Sequence, residues 1–169
     1  MPDVVELGHE SSFYEADEHA WIERQVAALR GRDFDQLDHV NLIEFLTAMA
    51  LRDLRELESR LELLYAHILK FAIQPGKATR SWQVTIGAQQ RAIDRLLKRL
   101  PSLRARGDDV LRDVYPDAVK AAVLETGQQG GADGKPIPSE PVLTIEEVLS
   151  FQVNMSPDGT GVALSHWPL

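Results

Sequence analysis

The chain contains no cysteine, which excludes disulfides, thiolate metal sites and cysteine nucleophiles together. No apolar run approaches the ~18 residues of a membrane-spanning helix, because Arg55, Glu58, Lys70 and their neighbours interrupt each candidate. No Lys or Arg precedes Arg24, so the start lacks the basic segment of a secretory signal. The expected setting is the cytoplasm, with no membrane partner. Aromatic residues are sparse, at 7% of the chain. Glycine and proline are both missing between Gly31 and Pro75, a stretch rich in Leu, Glu, Arg and Ala, the residues that lose least on entering a helix.

What is present suits a globular domain: 169 residues, 44% apolar and 26% charged, a length that buries about 70% of its unfolded surface. The stretch without glycine or proline predicts one long helix, or two nearly fused. Its residues Leu54, Leu57, Leu61, Leu64 and Ile68 recur at steps of three and four and so share one stripe. Leu42, Leu46 and Met49 or Ala50 extend that stripe upstream with one slip in phase. An earlier helix is expected from a Ser12–Glu15 capping box to Arg30, with Gly31 as left-handed cap and Asp38 capping the long helix.

Thr79 is placed to cap a third helix whose Trp82, Ile86, Ile93, Leu97 and Leu100 fall on one face, and Pro101 ends it. Ser102 is the next candidate cap, and Pro116 predicts a kink or break after Tyr115, ahead of a segment ending near Thr126. Glycine and proline take seven of the fifteen positions from Gly127 to Pro141, which marks a loop. Thr144 and Glu147 form a second capping box before a short helix through Phe151, and Asn154 to Leu169 reads as an extended tail anchored by Trp167. The expected fold is all-α: a helical bundle over residues 1–127, with the loop, short helix and tail of 128–169 packed on the same domain.

The net charge of −8 conceals three blocks. Residues 1–51 hold 3 basic and 11 acidic residues, 52–106 hold 12 and 5, and 107–169 hold 3 and 10. Within the middle block Arg91, Arg95, Lys98 and Arg99 lie within about 100° of Arg80 on a helical wheel, whereas Trp82, Ile86, Ile93 and Leu100 lie at about 200–240°. The basic side chains form a face opposite the apolar one. It reads as a solvated surface, as a dock for an acidic partner, or as a nucleic-acid surface; the calculated pI of about 5.1 and the lack of stacking aromatics on it disfavour the last.

Histidines at positions 9, 19, 39, 67 and 166 show no i, i+4 pair, so no metal site or cofactor is implied. Gly134-Lys135 fails as a phosphate loop, since Pro136 stands where Ser or Thr is required. Asn154-Met155-Ser156 fits a glycan acceptor only formally. Asp108-Asp109 and Glu146-Glu147 are explained by the dipoles of helices starting there.

One constellation invites chemistry. His67 and Lys70 share a helix face, and the following loop brings Gln74, Arg80, Ser81 and Trp82 close in sequence, so that cationic and hydrogen-bonding groups can converge on an anion. The structural alternative is a core histidine, a packed Trp82, and Arg80 bonding helix-end carbonyls. Ser81 as nucleophile would have His67 as its sole nearby base.

Asn41-Leu42-Ile43-Glu44, His67-Ile68-Leu69-Lys70, Gln74-Pro75, Arg80-Ser81-Trp82, Thr85-Ile86, Gln90-Arg91, Leu96-Leu97 and Pro101-Ser102-Leu103, followed by Tyr115 and Glu125-Thr126-Gly127, resemble domain-of-unknown-function family twenty-nine, a bacterial group of small proteins. The similarity runs from about residue 13 to about 127, and Thr144 to Phe151 looks like the family's closing element. The resemblance implies an all-helical fold and no established activity. The chain departs from the pattern at Phe45, where a second acid often follows the Glu44 position.

The leading expectation is a non-enzymatic helical interaction module that self-associates or takes a protein partner. The alternatives are an anion or small-ligand site, enzymatic or not, at His67, Lys70, Gln74, Arg80, Ser81 and Trp82, and nucleic-acid binding through residues 80–99.

Overall fold

The computed structural model describes residues 14–132, 134–155 and 162–164. Among them the fold is all-helical apart from one short antiparallel pair. The elements are α1 (Glu18–Gly31), a 3-10 turn (Phe34–Gln36), α2 (His39–Ile73), a second 3-10 turn (Pro75–Lys77), α3 (Arg80–Arg99), α4 (Pro101–Arg104), α5 (Gly107–Thr126), α6 (Ile145–Ser150), β1 (Val153–Met155) and β2 (Val162–Leu164). The chain divides into two compact units, Met1–Asp53 and Leu54–Leu169, with the boundary inside α2.

In the first unit α1 starts at Asp17, whose side chain accepts from the Ala20 amide. The Ser12 cap expected upstream lies outside the described residues, as do His9, His166, Trp167 and the Ser156 of the glycan triplet. The left-handed residue that ends α1 is Arg32 (φ 59°) and not Gly31, which remains helical. The Arg32 amide reaches Leu29 O and the Asp33 amide reaches Ala28 O, so the chain terminates one residue later than its glycine suggests.

Trp21, only 2% exposed, packs between Tyr14 and Phe45, at ring separations of 4.7 and 5.7 Å. Phe45, the departure from the family pattern, thus serves as an aromatic contact. The Trp21 indole donates to Asp38 Oδ2 at 3.0 Å, Asn41 Nδ2 donates to the same oxygen at 2.6 Å, and the Asn41 amide donates to Oδ1 at 3.2 Å. The Asp38 amide in turn donates to Gln25 Oε1 at 2.8 Å. Asp38 therefore caps α2, as its position predicts, and ties α1 to it.

The second unit is built around the rest of α2. Leu57, Leu61, Leu64 and Ile68 are fully buried, each contributing roughly 1.5–3 kcal/mol of transfer free energy. They meet Ile86, Ile93, Leu96 and Leu97 of α3, Val110, Leu111 and Ala118 of α5, and Ile145 and Val148 of α6 within one core. From Leu64 to Phe71 every residue of α2 is buried, so this stretch is covered on all sides. Thr79 stands at the N-cap of α3 without a side-chain capping bond, and Leu100 follows α3 just before Pro101. Ser102 lies inside α4 and caps nothing.

Pro116 does not divide α5, which runs unbroken from Gly107 to Thr126. Its missing amide would have bonded the Arg112 carbonyl one turn earlier. Arg112 and Pro116 are both exposed, so water can take that carbonyl's bond. Gly127 (φ 69°) closes the helix. Two tyrosines then hold the glycine- and proline-rich loop: Tyr115 Oη donates to Pro138 O at 2.8 Å, the Val142 amide donates to Tyr65 Oη at 3.2 Å, and the two rings meet edge to face at 5.1 Å. The Thr144–Glu147 capping box is present in α6. In the tail, where no period is legible, Val153, Asn154 and Met155 pair with Leu164, Ala163 and Val162.

Asp38 and Gly107 are two sensitive points for stability. Burial alone would raise the Asp38 pKa, but the bonds from Asn41 and Trp21 outweigh it and hold the carboxyl below its ordinary value. The stabilisation is therefore complete above about pH 4, the ordinary carboxylate value, and is lost as pH falls through the lower folded value. Asp38→Ala is expected to cost about 2–4 kcal/mol in urea denaturation and to remove that acid-side dependence. At Gly107 an added Cβ would stand 3.0–3.2 Å from three carbons of the buried Ile145. Gly107→Ala should cost about 1–3 kcal/mol, and Ile145→Val in the same chain should recover part of it in thermal melts.

Candidate functional site

α2 ends at Ile73 and α3 begins at Arg80, so the short loop between them brings the chemistry-bearing residues of both helices into one neighbourhood. Lys70 is 4% exposed. A buried ammonium requires a counter-charge and a polarisable neighbour. Glu125, near the end of α5, supplies the first through an ion pair. The face of Trp82 supplies the second, with Nζ 4.4 Å from its ring centroid. Phe71 meets the same indole edge to face at 5.4 Å. One turn beyond Lys70, Gln74 Nε2 donates to Thr126 O at 2.9 Å.

His67 lies on the same stretch, with Nδ1 2.9 Å from Leu63 O. A carbonyl only accepts, so Nδ1 carries the proton and Nε2 is the bare nitrogen. Burial, the largest influence, and the Lys70 charge hold the imidazole below the usual histidine range, against the opposing pull of Leu63 O and Glu125.

The structure thus gathers His67, Lys70, Gln74 and Trp82 and adds Glu125 and Thr126 to them. Arg80 and Ser81 are instead exposed at the start of α3. Ser81 Oγ shares a 2.8 Å hydrogen bond with Thr79 Oγ1, and Thr85 Oγ1 donates to Ser81 O at 3.0 Å. Arg91, Arg95, Lys98 and Arg99 are all exposed along α3, opposite the buried Ile86 and Ile93, and Lys98 pairs with Asp94 at 2.7 Å. Among the described residues no three His, Asp or Glu side chains are grouped to hold a metal ion.

Glu125 belongs to the residues that carry the family resemblance, but sequence reasoning did not pair it with Lys70, 55 positions away. It also did not assign a role to Gln83 and Gln90 of α3. Gln90 Nε2 donates to Val148 O and Phe151 O at 3.0 and 2.8 Å, and Gln83 Nε2 donates to Val153 O at 3.0 Å. These carboxamides hold α6 and the extended backbone after it onto α3, beside a cavity of about 280 Å³ lined by Ile86, Gly87, Phe151 and Gln152. The available signal was spacing: positions 83, 87 and 90 share one helix face, with glycine between the two glutamines.

The model of the family described as Domain of unknown function DUF29 matches residues 13–153, and the chain belongs to that family. No curated protein and no solved structure matches it. Among the described residues no helix is long and apolar enough to cross a membrane.

The Lys70 neighbourhood can be tested by unequal substitutions. Glu125→Gln leaves the Lys70 charge without its counter-ion and is expected to cost about 1–2 kcal/mol, less than a fully buried pair because Glu125 is half exposed. Lys70→Met keeps the stem over Trp82 and leaves a carboxylate that water can solvate, so it should be close to neutral. The depressed His67 predicts a stability that is complete above about pH 6.5 and falls as the pH drops below it, because the unfolded chain takes up the proton first. His67→Gln should flatten that part of the profile.

Proposed function

We propose that this chain is a non-enzymatic helical interaction module that self-associates through the outward face of the first half of α2. The observation that carries the reading is the exposure of Val40 (70%), Ile43 (68%) and Leu46 (56%), joined by Met49 and Leu51, on a stretch whose sole charged residue from Val40 to Leu51 is Glu44. Isolated exposed leucines need no explanation, but a run of large apolar side chains on one short helical segment marks a surface that meets another. The acidic first block and the basic face of α3 add charges of opposite sign that can pair between copies. In the same reading the module acts in the bacterial cytoplasm, the setting that the cysteine-free composition and the family resemblance favour.

Sedimentation of the native chain across micromolar concentrations tests this directly. Reversible association is expected, and Ile43→Glu should shift the chain to monomer with an unchanged helical circular dichroism spectrum. A sharp monomer at every concentration would overturn the reading.

A further inference from the structure

The cavity between α3 and the backbone that follows α6 lies wholly within the second unit. Its apolar side is made by the buried Ile86, Phe151 and Val153, its polar sides by Gln83, Gln90 and Gln152, and no residue lining it is charged. Both Nε2 hydrogens of Gln90 are committed, to Val148 O and Phe151 O, so what this side chain still offers is its oxygen, an acceptor. Gly87 completes the lining. A glycine inside a helix is destabilising relative to alanine, so its place in the middle of α3 calls for a reason. Arg91 supplies one. A Cβ built at Gly87 would stand 3.2 Å from Arg91 Nη1, so the guanidinium leans back one turn onto the glycine, at the edge of the cavity. Arg91 is exposed and pairs with no carboxylate among the described residues.

We infer that this cavity binds an α-carboxylate together with the N–H group and the apolar side chain carried on the same carbon, the chemistry of a free apolar amino acid or of the last residue of a peptide. Each part meets a group already described. The planar fork of Arg91 takes a carboxylate through two parallel hydrogen bonds. The Gln90 oxygen accepts from the N–H, and Ile86 and Phe151 receive the apolar side chain. A phosphate is a poorer match, since its second negative charge would stand beside carboxamide oxygens with no lining cation to meet it. The volume of about 280 Å³ equals that of roughly nine water molecules at ~30 Å³ each, which is room for one residue and not for a longer segment. Gln83 and Gln90 hold the backbone at Val148, Phe151 and Val153 without any ligand, so the cavity is formed before binding and little ordering remains to oppose it. The site is independent of the self-association proposed above.

Titration of the isotope-labelled full chain with N-acetyl-leucine, followed by NMR, tests the site. The side-chain amide signals of Gln83 and Gln90 and the backbone signals of Gly87 and Gln152 should move together, with a dissociation constant of about 1 mM, as suits a ligand of roughly a dozen non-hydrogen atoms. N-acetyl-leucinamide, which lacks the charge, should bind about tenfold more weakly, and Arg91→Gln should weaken N-acetyl-leucine by a similar factor at an unchanged thermal midpoint. Gly87→Ala should also weaken it about tenfold while raising the thermal midpoint, because alanine is the better helix former and displaces only the mobile head of Arg91. Leucine and glycyl-glycyl-leucine distinguish the two sources: tighter binding of the first identifies a free amino acid, tighter binding of the second a chain end, and either supports the site. Stationary signals with all three carboxylates up to about 10 mM, equal binding of the amide, or undiminished binding by Arg91→Gln would overturn it.

Discussion

The constraint on which the structure turns is how the single apolar stripe of α2 is covered. A 35-residue helix extends about 50 Å, and no short helix can follow it that far. In the second unit α3, α5 and α6 converge on the stripe from Leu57 onward and bury it completely. In the first unit α1 meets α2 through Trp21, Phe45 and Asp38.

Complete coverage has a polar consequence. Once residues Leu64 to Phe71 are surrounded, the polar groups among them lose water and must be satisfied from within. His67 does this locally through Leu63 O, but Lys70 cannot, since every residue within reach on its own helix is apolar, backbone or His67. Its counter-ion arrives from the end of α5, and Gln74 fixes the same helix end through Thr126 O. That the carboxylate of Glu125 keeps half its exposure matters: only one charge of the pair is fully desolvated, which lowers the penalty that burying both would carry. The Lys70–Glu125 and Gln74–Thr126 contacts, the Gly127 turn and the tyrosine-held loop together make the second unit's geometry depend on the C-terminal end of α5.

What is legible in the sequence is local. The steps of three and four from Leu54 to Ile68, Pro101 after α3, Asp38 ahead of α2 and the Thr144–Glu147 box all act within a turn or two, and each appears in the structure. A local preference misleads where it has a competitor. Gly31 favours a left-handed cap, yet the two bonds to Ala28 O and Leu29 O place that geometry on Arg32. Pro116 favours a break, yet it sits on the wet side of α5 where a lost bond costs little. Upstream, Leu42, Leu46 and Met49 or Ala50 extend the stripe only with a slip in phase, so the pattern is weaker there. Partners 55 to 70 positions apart, such as Glu125 for Lys70 or Gln83 for Val153, leave no periodic trace.

The distribution of satisfied and unsatisfied surfaces bears on function more than any motif does. The residues that look chemical, His67, Lys70, Gln74 and Trp82, already have partners inside the second unit, and their pairings account for why such side chains stand in a buried helix. The residues that look bland, Val40, Ile43, Thr47 and Ala50, are exposed. Apolar area left in water carries a free-energy cost proportional to its extent. Under the proposed self-association this surface is pre-organised, because the ordering entropy of its helix is spent in folding.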